Sequence, residues 1–472
     1  MYGLNLLLFA LYEIVIIVAI IHVLMDNRQP AKTMAWMLVI YFVPVVGLLF
    51  YFFFGVNTRR GKLMSERSLQ QLTRRAMFEF VEQRDLHVPD EYKTTIDLFV
   101  NQGFFLPFKD NEVEVFTDGH AFFLDLFHSI GKARHSIHLD FYIFEDDALG
   151  TLLADMLIDK ARQGVEIRLV YDDVGCWRVK RRFFERMRRE GIEAWPFMPV
   201  RFRSFTSKVN YRNHRKIVVV DGTTGYIGGM NVARRYVQGR DGRHWRDTMV
   251  RVKGGGVYGL QRAFLLDWYF VDRTLISDRK YYPPSDGALS NSCVAQVVMS
   301  TPVTPQPEIM LGILGIVLRA KRYIYIETPY FMPNEPVAVA LKTAALEGVD
   351  VRVMVPKRCD SHFVYWASRS YLDEMVAAGV KVLEYDGGFL HSKLWVIDDM
   401  LASCGSTNID FRSFENNFEA NVFFYDSGTA DSFRRVFECD QLLCTPYEVD
   451  DRRNRFFMRL WLSLVRLLSP VM

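Results

Sequence analysis

The chain opens on two long apolar runs. Residues 4–25 are interrupted chiefly by Glu13, and residues 33–56 carry Trp36, Pro44 and Gly47. At about 1.5 Å per residue, each run could cross a hydrocarbon layer of about 30 Å, so the pattern predicts a pair of membrane helices over 1–56. Pro44 keeps a shallow re-entrant hairpin open as the alternative. A connecting segment that starts strongly basic follows over 57–111. From Glu112 the pattern changes to short apolar runs separated by amphipathic stretches. Residues 113–116, 136–144 and 165–171 read as strands, with helices over 118–133 and 148–163 between them. Such β-α-β alternation implies a largely parallel sheet flanked by helices.

The plan then repeats. Ala320-Lys321-Arg322-Tyr323-Ile324-Tyr325-Ile326-Glu327 echoes Ala133-Arg134-His135-Ser136-Ile137-His138-Leu139-Asp140, and Glu347-Gly348-Val349-Asp350-Val351-Arg352 echoes Gln163-Gly164-Val165-Glu166-Ile167-Arg168. Two α/β halves are therefore expected, 112–277 and 308–448, joined by a Pro-, Ser- and Gly-bearing linker over 278–307. Residues 449–472 close the chain as an amphipathic helix, with Arg455, Arg459 and Arg466 on one face and a broad apolar surface that includes Phe456, Phe457, Leu460 and Trp461. That composition suits an interfacial helix, and packing on the core of the α/β halves is the alternative. A second basic cluster, 178–189, has Trp177, Phe183 and Phe184 among its arginines and reads as bilayer-facing or as a solvated helix face.

Within the two halves one motif occurs twice without a spacing difference. His214, Lys216 and Asp221 are followed by Gly228 and Asn231, and His391, Lys393 and Asp398 by Gly405 and Asn408. From average residue usage, one such match by chance in a chain this long has a probability of about 10⁻⁴. The runs 217–220 and 394–397 are apolar, as buried strands require, and side chains two apart on a strand share a face. Each histidine thus points the same way as its lysine. Turn residues after each strand bring a second apolar run back, with the Gly-x-x-Asn beside the strand that carries the histidine.

These groups suit an anionic phosphodiester. Lysine supplies compact positive charge, asparagine supplies N–H donors, and glycine permits close approach of the backbone to a ligand. Histidine can act as nucleophile or as acid and base near neutral pH. Lysine is not a usual metal ligand, and no second His or Cys stands at ligand spacing, so neither a metal nor another cofactor is expected. His135 and His138 lie on strand-like sequence where side chains alternate faces, which argues for core or surface roles.

The duplicated motif resembles the H-K-D signature of the phospholipase D superfamily. The wider pattern is similar to the membrane-anchored bacterial cardiolipin synthases: the N-terminal apolar pair, Ala35-Trp36-Met37-Leu38, Thr328-Pro329-Tyr330-Phe331-Met332-Pro333, Trp366-Ala367-Ser368-Arg369, Asn408-Ile409-Asp410-Phe411-Arg412-Ser413 and Leu468-Ser469-Pro470. The resemblance implies two similar halves whose motifs share one active site, with a covalent phosphatidyl-histidine intermediate. It implies His214 as nucleophile and His391 as acid and base, although the symmetry of the motifs leaves that order open. Lys216, Lys393, Asn231 and Asn408 would hold phosphate. Asp247 and Glu419, each downstream of a motif, would orient the histidines, while Asp221 and Asp398 would position their loops. In the second copy Ser406 stands where the first has Gly229, so a phosphate contact from that hydroxyl is expected only from the second half. Phosphatidylglycerol would be both donor and acceptor, with cardiolipin the product. Hydrolytic phospholipase D, phosphatidylserine synthase and, less well matched, a nucleic-acid phosphodiesterase are the alternatives; no nucleic-acid partner is expected, and homo-oligomerisation is left open.

Composition adds the setting. Half of the 472 residues are hydrophobic and 14% aromatic, high for a soluble enzyme, whereas the net charge of +3 is unremarkable. The six cysteines form no compact framework and read as reduced thiols of a cytosolic domain. Arg28 and Lys32 lie between the apolar runs, and Arg59, Arg60, Lys62, Arg67, Arg74 and Arg75 follow the second. The basic run beyond the second apolar stretch places the catalytic region on the cytoplasmic side of a bacterial inner membrane. It also suits attraction to anionic headgroups. Glu13, costly at mid-depth, is expected to hydrogen-bond the neighbouring helix.

Overall fold

The computed structural model describes residues 2–25, 30–51, 55, 90–200, 210–276, 278–284, 293–450 and 456–471. The basic residues expected beside the membrane, 59–75, lie outside these, as do Arg28 and Arg455. The chain divides into an N-terminal unit and a larger catalytic unit.

In the N-terminal unit, α1 (Tyr2–Met25) is followed by α2 (Pro30–Phe42) and α3 (Pro44–Phe50). The second apolar run is thus two helices, broken at Val43 because Pro44 takes the first helical position of α3. Ile16, Val23, Ile40 and Tyr51 pack together, and the Trp36 and Tyr51 rings meet edge-on at 5.5 Å. The outward surface of α1 is apolar, with Leu11, Ile14, Val15 and Val18 exposed. Glu13 is also exposed and makes no hydrogen bond to the neighbouring helix among the described residues. Among those residues no helix is long and apolar enough to cross a membrane.

The catalytic unit begins with α4 (Asp90–Gly103), which buries Tyr92, Ile96 and Phe99. The first half continues with β1 (Pro107–Phe116), α5 (Gly119–Lys132), β2 (Ser136–Phe141), α6 (Ala148–Arg162), β3 (Glu166–Asp172), α7 (Arg181–Arg189), β4 (Glu193–Phe197), β5 (Lys216–Val220), β6 (Thr224–Gly228), α8 (Arg235–Gln238), β7 (Trp245–Arg246), β8 (Met249–Lys253) and α9 (Gly256–Asp272). The second half holds β9 (Cys293–Ser300), α10 (Glu308–Val317), β10 (Tyr323–Glu327), α11 (Glu335–Leu346), β11 (Asp350–Pro356), α12 (His362–Ala377), β12 (Lys381–Tyr385), β13 (Phe389–Leu390), β14 (Leu394–Ile397), β15 (Leu401–Gly405), α13 (Phe411–Glu415), β16 (Glu419–Tyr425), α14 (Ser427–Gln441) and β17 (Cys444–Pro446), and α15 (Phe456–Leu467) closes the chain.

Among the described residues, fifteen strands form one sheet in the order β17-β12-β11-β10-β14-β15-β16-β9-β1-β8-β6-β5-β2-β3-β4. The halves mirror each other about the β9–β1 junction. The expected largely parallel sheet needs correction: only β2–β3, β3–β4, β10–β11 and β11–β12 are parallel, and the other junctions are antiparallel. The reason is local. After its parallel β-α-β start, each half turns into a meander in which the motif strand (β5, β14) and its return (β6, β15) are joined by tight turns.

Two stretches read as linkers are part of this architecture. The segment 57–111 contains α4 and the start of β1, and 278–307 contains β9, whose residues are all buried between β16 and β1. On α7, Phe183 and Phe184 belong to the core, Phe184 stacking on Tyr171 at 3.7 Å, while Arg186 pairs with Asp155, Arg188 donates to the Tyr171 hydroxyl and Trp177 is exposed. His138 is a core residue stacked on Phe264 and bonded to Gln261. All six cysteines are free.

Candidate active site at the junction of the halves

Each motif strand begins where the chain crosses between halves. Just before the first motif, Asn213 pairs in parallel with Phe418; the His214 amide donates to the Phe418 carbonyl (2.9 Å) and the Phe418 amide to the Arg212 carbonyl (2.9 Å). Just before the second, β13 pairs in parallel with β7, and the His391 amide donates to the Arg246 carbonyl (2.7 Å). The residue after Phe418 is Glu419 and the residue after Arg246 is Asp247. This backbone exchange therefore brings each histidine to a carboxylate of the opposite half.

His214 Nδ1 lies 3.1 Å from both carboxylate oxygens of Glu419, and His391 Nδ1 lies 2.6 Å from Asp247 Oδ2. Both carboxylates are fully buried. The pairing is crossed, which the position of each acid downstream of its own motif did not reveal. With Nδ1–H held by a carboxylate, the lone pair of each imidazole is at Nε2.

The lysines sit beside their own histidines. Lys216 Nζ donates to the His214 carbonyl and lies 5.5 Å from the centre of the Tyr142 ring; Lys393 Nζ lies 2.8 Å from His391 Nδ1 and also donates to the His391 carbonyl. Burial pushes Lys216 down to about 7, with Glu419 opposing the shift and Lys393 adding to it. Burial and the ammonium of Lys393 push His391 down to about 4, and Lys216 of the other half contributes. His214 is likewise lowered, chiefly by burial. The charges of the two motifs thus act on each other, as groups of one low-dielectric site do.

Several expected contacts have other occupations. The Ser406 hydroxyl donates to Glu419 Oε2 (2.5 Å) and accepts the Ala420 amide (3.0 Å), so it holds the carboxylate. At Gly229, the equivalent place, a Cβ would stand 2.1 Å from Asp247 Oδ1; glycine is needed to admit that carboxylate. Gly228 and Gly405 are also packing positions, where a Cβ would meet the carbonyls of Thr248 and Ala420 at 2.3 Å. They allow adjacent strands to approach closely.

Asp221 accepts the amides of Arg134, His135 and Ser136, and Asp398 those of Lys321, Arg322 and Tyr323, all within 2.7–2.9 Å. Both stand in left-handed backbone, which Asp tolerates well. At about 3.3 Å per residue they lie a strand's length from the histidines and pin the turn to the start of β2 or β10. They are turn anchors outside the reacting cluster. Asn231 Oδ1 accepts the Ile143 amide and Nδ2 donates to the Tyr236 hydroxyl, while Asn408 bonds Asp410.

The surroundings contain groups that the motif alone did not flag. Tyr142 lies edge-on to His214 at 5.1 Å, and Trp245, Tyr236 and Tyr330 surround His391 at 5.8–6.4 Å. Tyr142 and Tyr330 just follow the carboxyl ends of β2 and β10, where α/β sheets place their sites, and that position was the available signal. Two buried arginines of the first half fasten the crossing. Arg215 donates to Asp267 and to the Glu419 carbonyl, and Arg246 binds Asp440.

A duplicated α/β unit whose two histidine–lysine pairs meet at the junction, each imidazole held by the other half, defines a phospholipase D-type enzyme. The sequence profile described as "Cardiolipin synthase, PLD-like domain" matches residues 126–265 and 313–441, and one described as "Phospholipase_D-nuclease N-terminal" matches 14–55. The chain is 36% identical to the major cardiolipin synthase ClsA of Bacillus subtilis over 99% of both chains, and 38% identical to a cardiolipin synthase of Alkalihalophilus pseudofirmus over 97% of this chain and 92% of that one. In fold it is similar to the phosphatidylserine synthase of Haemophilus influenzae, with a TM-score of 0.63 at 13% identity over 81% of this chain and all of that one. The chain belongs to the cardiolipin synthase family of the phospholipase D superfamily.

Proposed function

We propose that this site transfers a phosphatidyl group from one phosphatidylglycerol to a glycerol hydroxyl of a second, forming cardiolipin and releasing glycerol. The observation that carries the reading is the crossed pair of carboxylate-held imidazoles in a chain of this family. His214, held by both oxygens of Glu419, attacks phosphorus through Nε2. As the P–N bond forms, the bond from phosphorus to the headgroup glycerol breaks, and His391 gives that oxygen a proton. His391 then takes the proton of the incoming hydroxyl, whose oxygen displaces His214. Glycerol leaves between the steps.

Lys216 and Lys393 stabilise the added negative charge, and Asn231 keeps one amide N–H for a phosphoryl oxygen. Before substrate binds, burial and the ammonium of Lys393 beside the ring keep His391 neutral. A phosphodiester that draws the ammonium away raises the ring's proton affinity, so substrate binding favours the acid form. Burial of Lys216 acts the same way, since an anion favours its charged form.

The N-terminal unit seats the enzyme in the bacterial cell membrane through its exposed apolar surface, with the catalytic region on the cytoplasmic side, where both lipid substrates are concentrated. The testing assay supplies labelled phosphatidylglycerol to the full chain in vesicles. Cardiolipin and glycerol in equal amounts are expected; phosphatidic acid as the sole lipid product contradicts the reading.

A further inference from the structure

The C-terminal helix presents two apolar faces. One packs on α12: Leu462 and Val465 are buried there, and Arg466 donates to the Ser370 carbonyl, pairs with Glu374 and lies 4.3 Å from the centre of the Tyr371 ring. The other is uncovered. Phe456, Phe457, Leu460, Trp461, Leu464 and Leu467 fall at positions i, i+1, i+4, i+5, i+8 and i+11, one continuous helical stripe. Phe457 is 82% and Leu467 76% exposed. Phe363 of α12, also exposed, extends this surface with its ring 6.2 Å from that of Trp461.

We propose that α15 is an interfacial helix that lays this stripe into the surface of an anionic phospholipid bilayer. Charge complementarity selects that occupant. The helix has no acidic residue, and Arg459 is exposed on the flank of the stripe. Aromatic and leucine side chains flanked by arginine are the composition that binds at the headgroup boundary. The ion pair and ring contact of Arg466 fix which face is turned outward.

The placement has a consequence for the active site. The 3-10 turn Ser469–Val471 that ends α15 packs on α13. In α13, Ser413 accepts the Asn408 amide at 3.2 Å, and the Arg412 carbonyl accepts the amides of Asn416 and Asn417, the latter a donor to Glu419. The surface that meets lipid is thereby joined by a few bonds to the loop of the second motif and to the carboxylate that holds His214.

The test uses the full chain with vesicles containing a photoactivatable phosphatidylglycerol, a readout that does not depend on phosphatidyl transfer. Crosslinks are expected in the peptide bearing Phe456–Leu467 and are expected to vanish in Leu460→Asp/Leu464→Asp. That variant should lose about tenfold in turnover on vesicles while matching the wild type on detergent-dispersed short-chain phosphatidylglycerol. Should it also lose turnover in detergent, Phe457→Ser gives the decision through crosslinking alone. Absence of crosslinks in the wild-type helix would overturn the proposal. So would a variant that changes the oligomeric state in detergent but keeps its vesicle crosslinks elsewhere and its vesicle turnover, because the stripe would then pair with a second copy.

Discussion

The two histidines carry the same motif but are held differently. Glu419, which holds His214, also receives Ser406 and Asn417, so three side chains converge on one carboxylate. Asp247, which holds His391, receives the Thr248 amide at 2.8 Å and fills the space a side chain at Gly229 would need. Glu with Ser and Asp with Gly are thus matched pairs: the longer acid is steadied by a hydroxyl, and the shorter one requires that the hydroxyl be absent. The lesson is that the halves are unequal where the proposed roles differ. The imidazole assigned to attack meets both oxygens of its carboxylate, whereas the one assigned to carry protons meets one and has an ammonium resting on it.

Removing the carboxylates should have the largest effect. Asp247→Asn and Glu419→Gln keep the shape but lose the charge and the tautomer it selects, and each is expected to lower kcat by about 10³- to 10⁴-fold with little change in KM, by analogy with the loss of the aspartate in a serine-protease triad. A loss confined to KM would mean that the acids shape substrate binding only. Exchanging the matched partners is the next test. Gly229→Ser forces an atom into Asp247 and should destabilise the fold by about 1–3 kcal/mol, read as a lowered Tm. Ser406→Gly removes the hydroxyl's bonds to Glu419 and to the Ala420 amide, at a cost of about 1–3 kcal/mol, but forces no atom into the carboxylate, so turnover should fall less than in Gly229→Ser. Equal effects of the two changes would erase the distinction between the halves.

The smallest effect concerns pH. His391 has its proton affinity lowered from 6.5 to about 4 in the folded enzyme, so between these values the unfolded chain binds a proton that the site refuses. Its contribution to stability is present above 6.5 and is lost as pH falls toward 4. Melting temperatures of His391→Gln should therefore decline less steeply than those of the wild type over that window. Parallel curves would show that the ring is not shielded from protonation.

How much of this was legible in the sequence follows from range. The motif strands, their turns and the repeated β-α-β start are local patterns, and β5, β14, β2 and β10 lie where the pattern placed them. The meander that makes the sheet mostly antiparallel is less visible, because a short apolar run looks the same in either direction. Strand β9 was hidden by the prolines around it. The crossing of the carboxylates could not be read at all: His214 and Glu419 are 205 residues apart and His391 and Asp247 144, and nothing local states which half donates to which. The occupation of Ser406 by Glu419 depends on the same fold-level contact. Asp221 and Asp398 were legible in kind, since an aspartate after a strand is a turn residue.

The central claim is that both motifs serve one phosphorus atom. The direct measurement is the stoichiometry and position of label after the enzyme, mixed with phosphatidylglycerol labelled at phosphorus, is quenched in denaturant at mildly alkaline pH, where a P–N bond survives, followed by peptide mapping. At most one phosphoryl group per chain is predicted, on the peptide containing His214, formed much more slowly when His391 is replaced by Ala and absent when His214 is. Two groups per chain, or label on His391 that persists without His214, would mean that the halves react independently and would contradict the account.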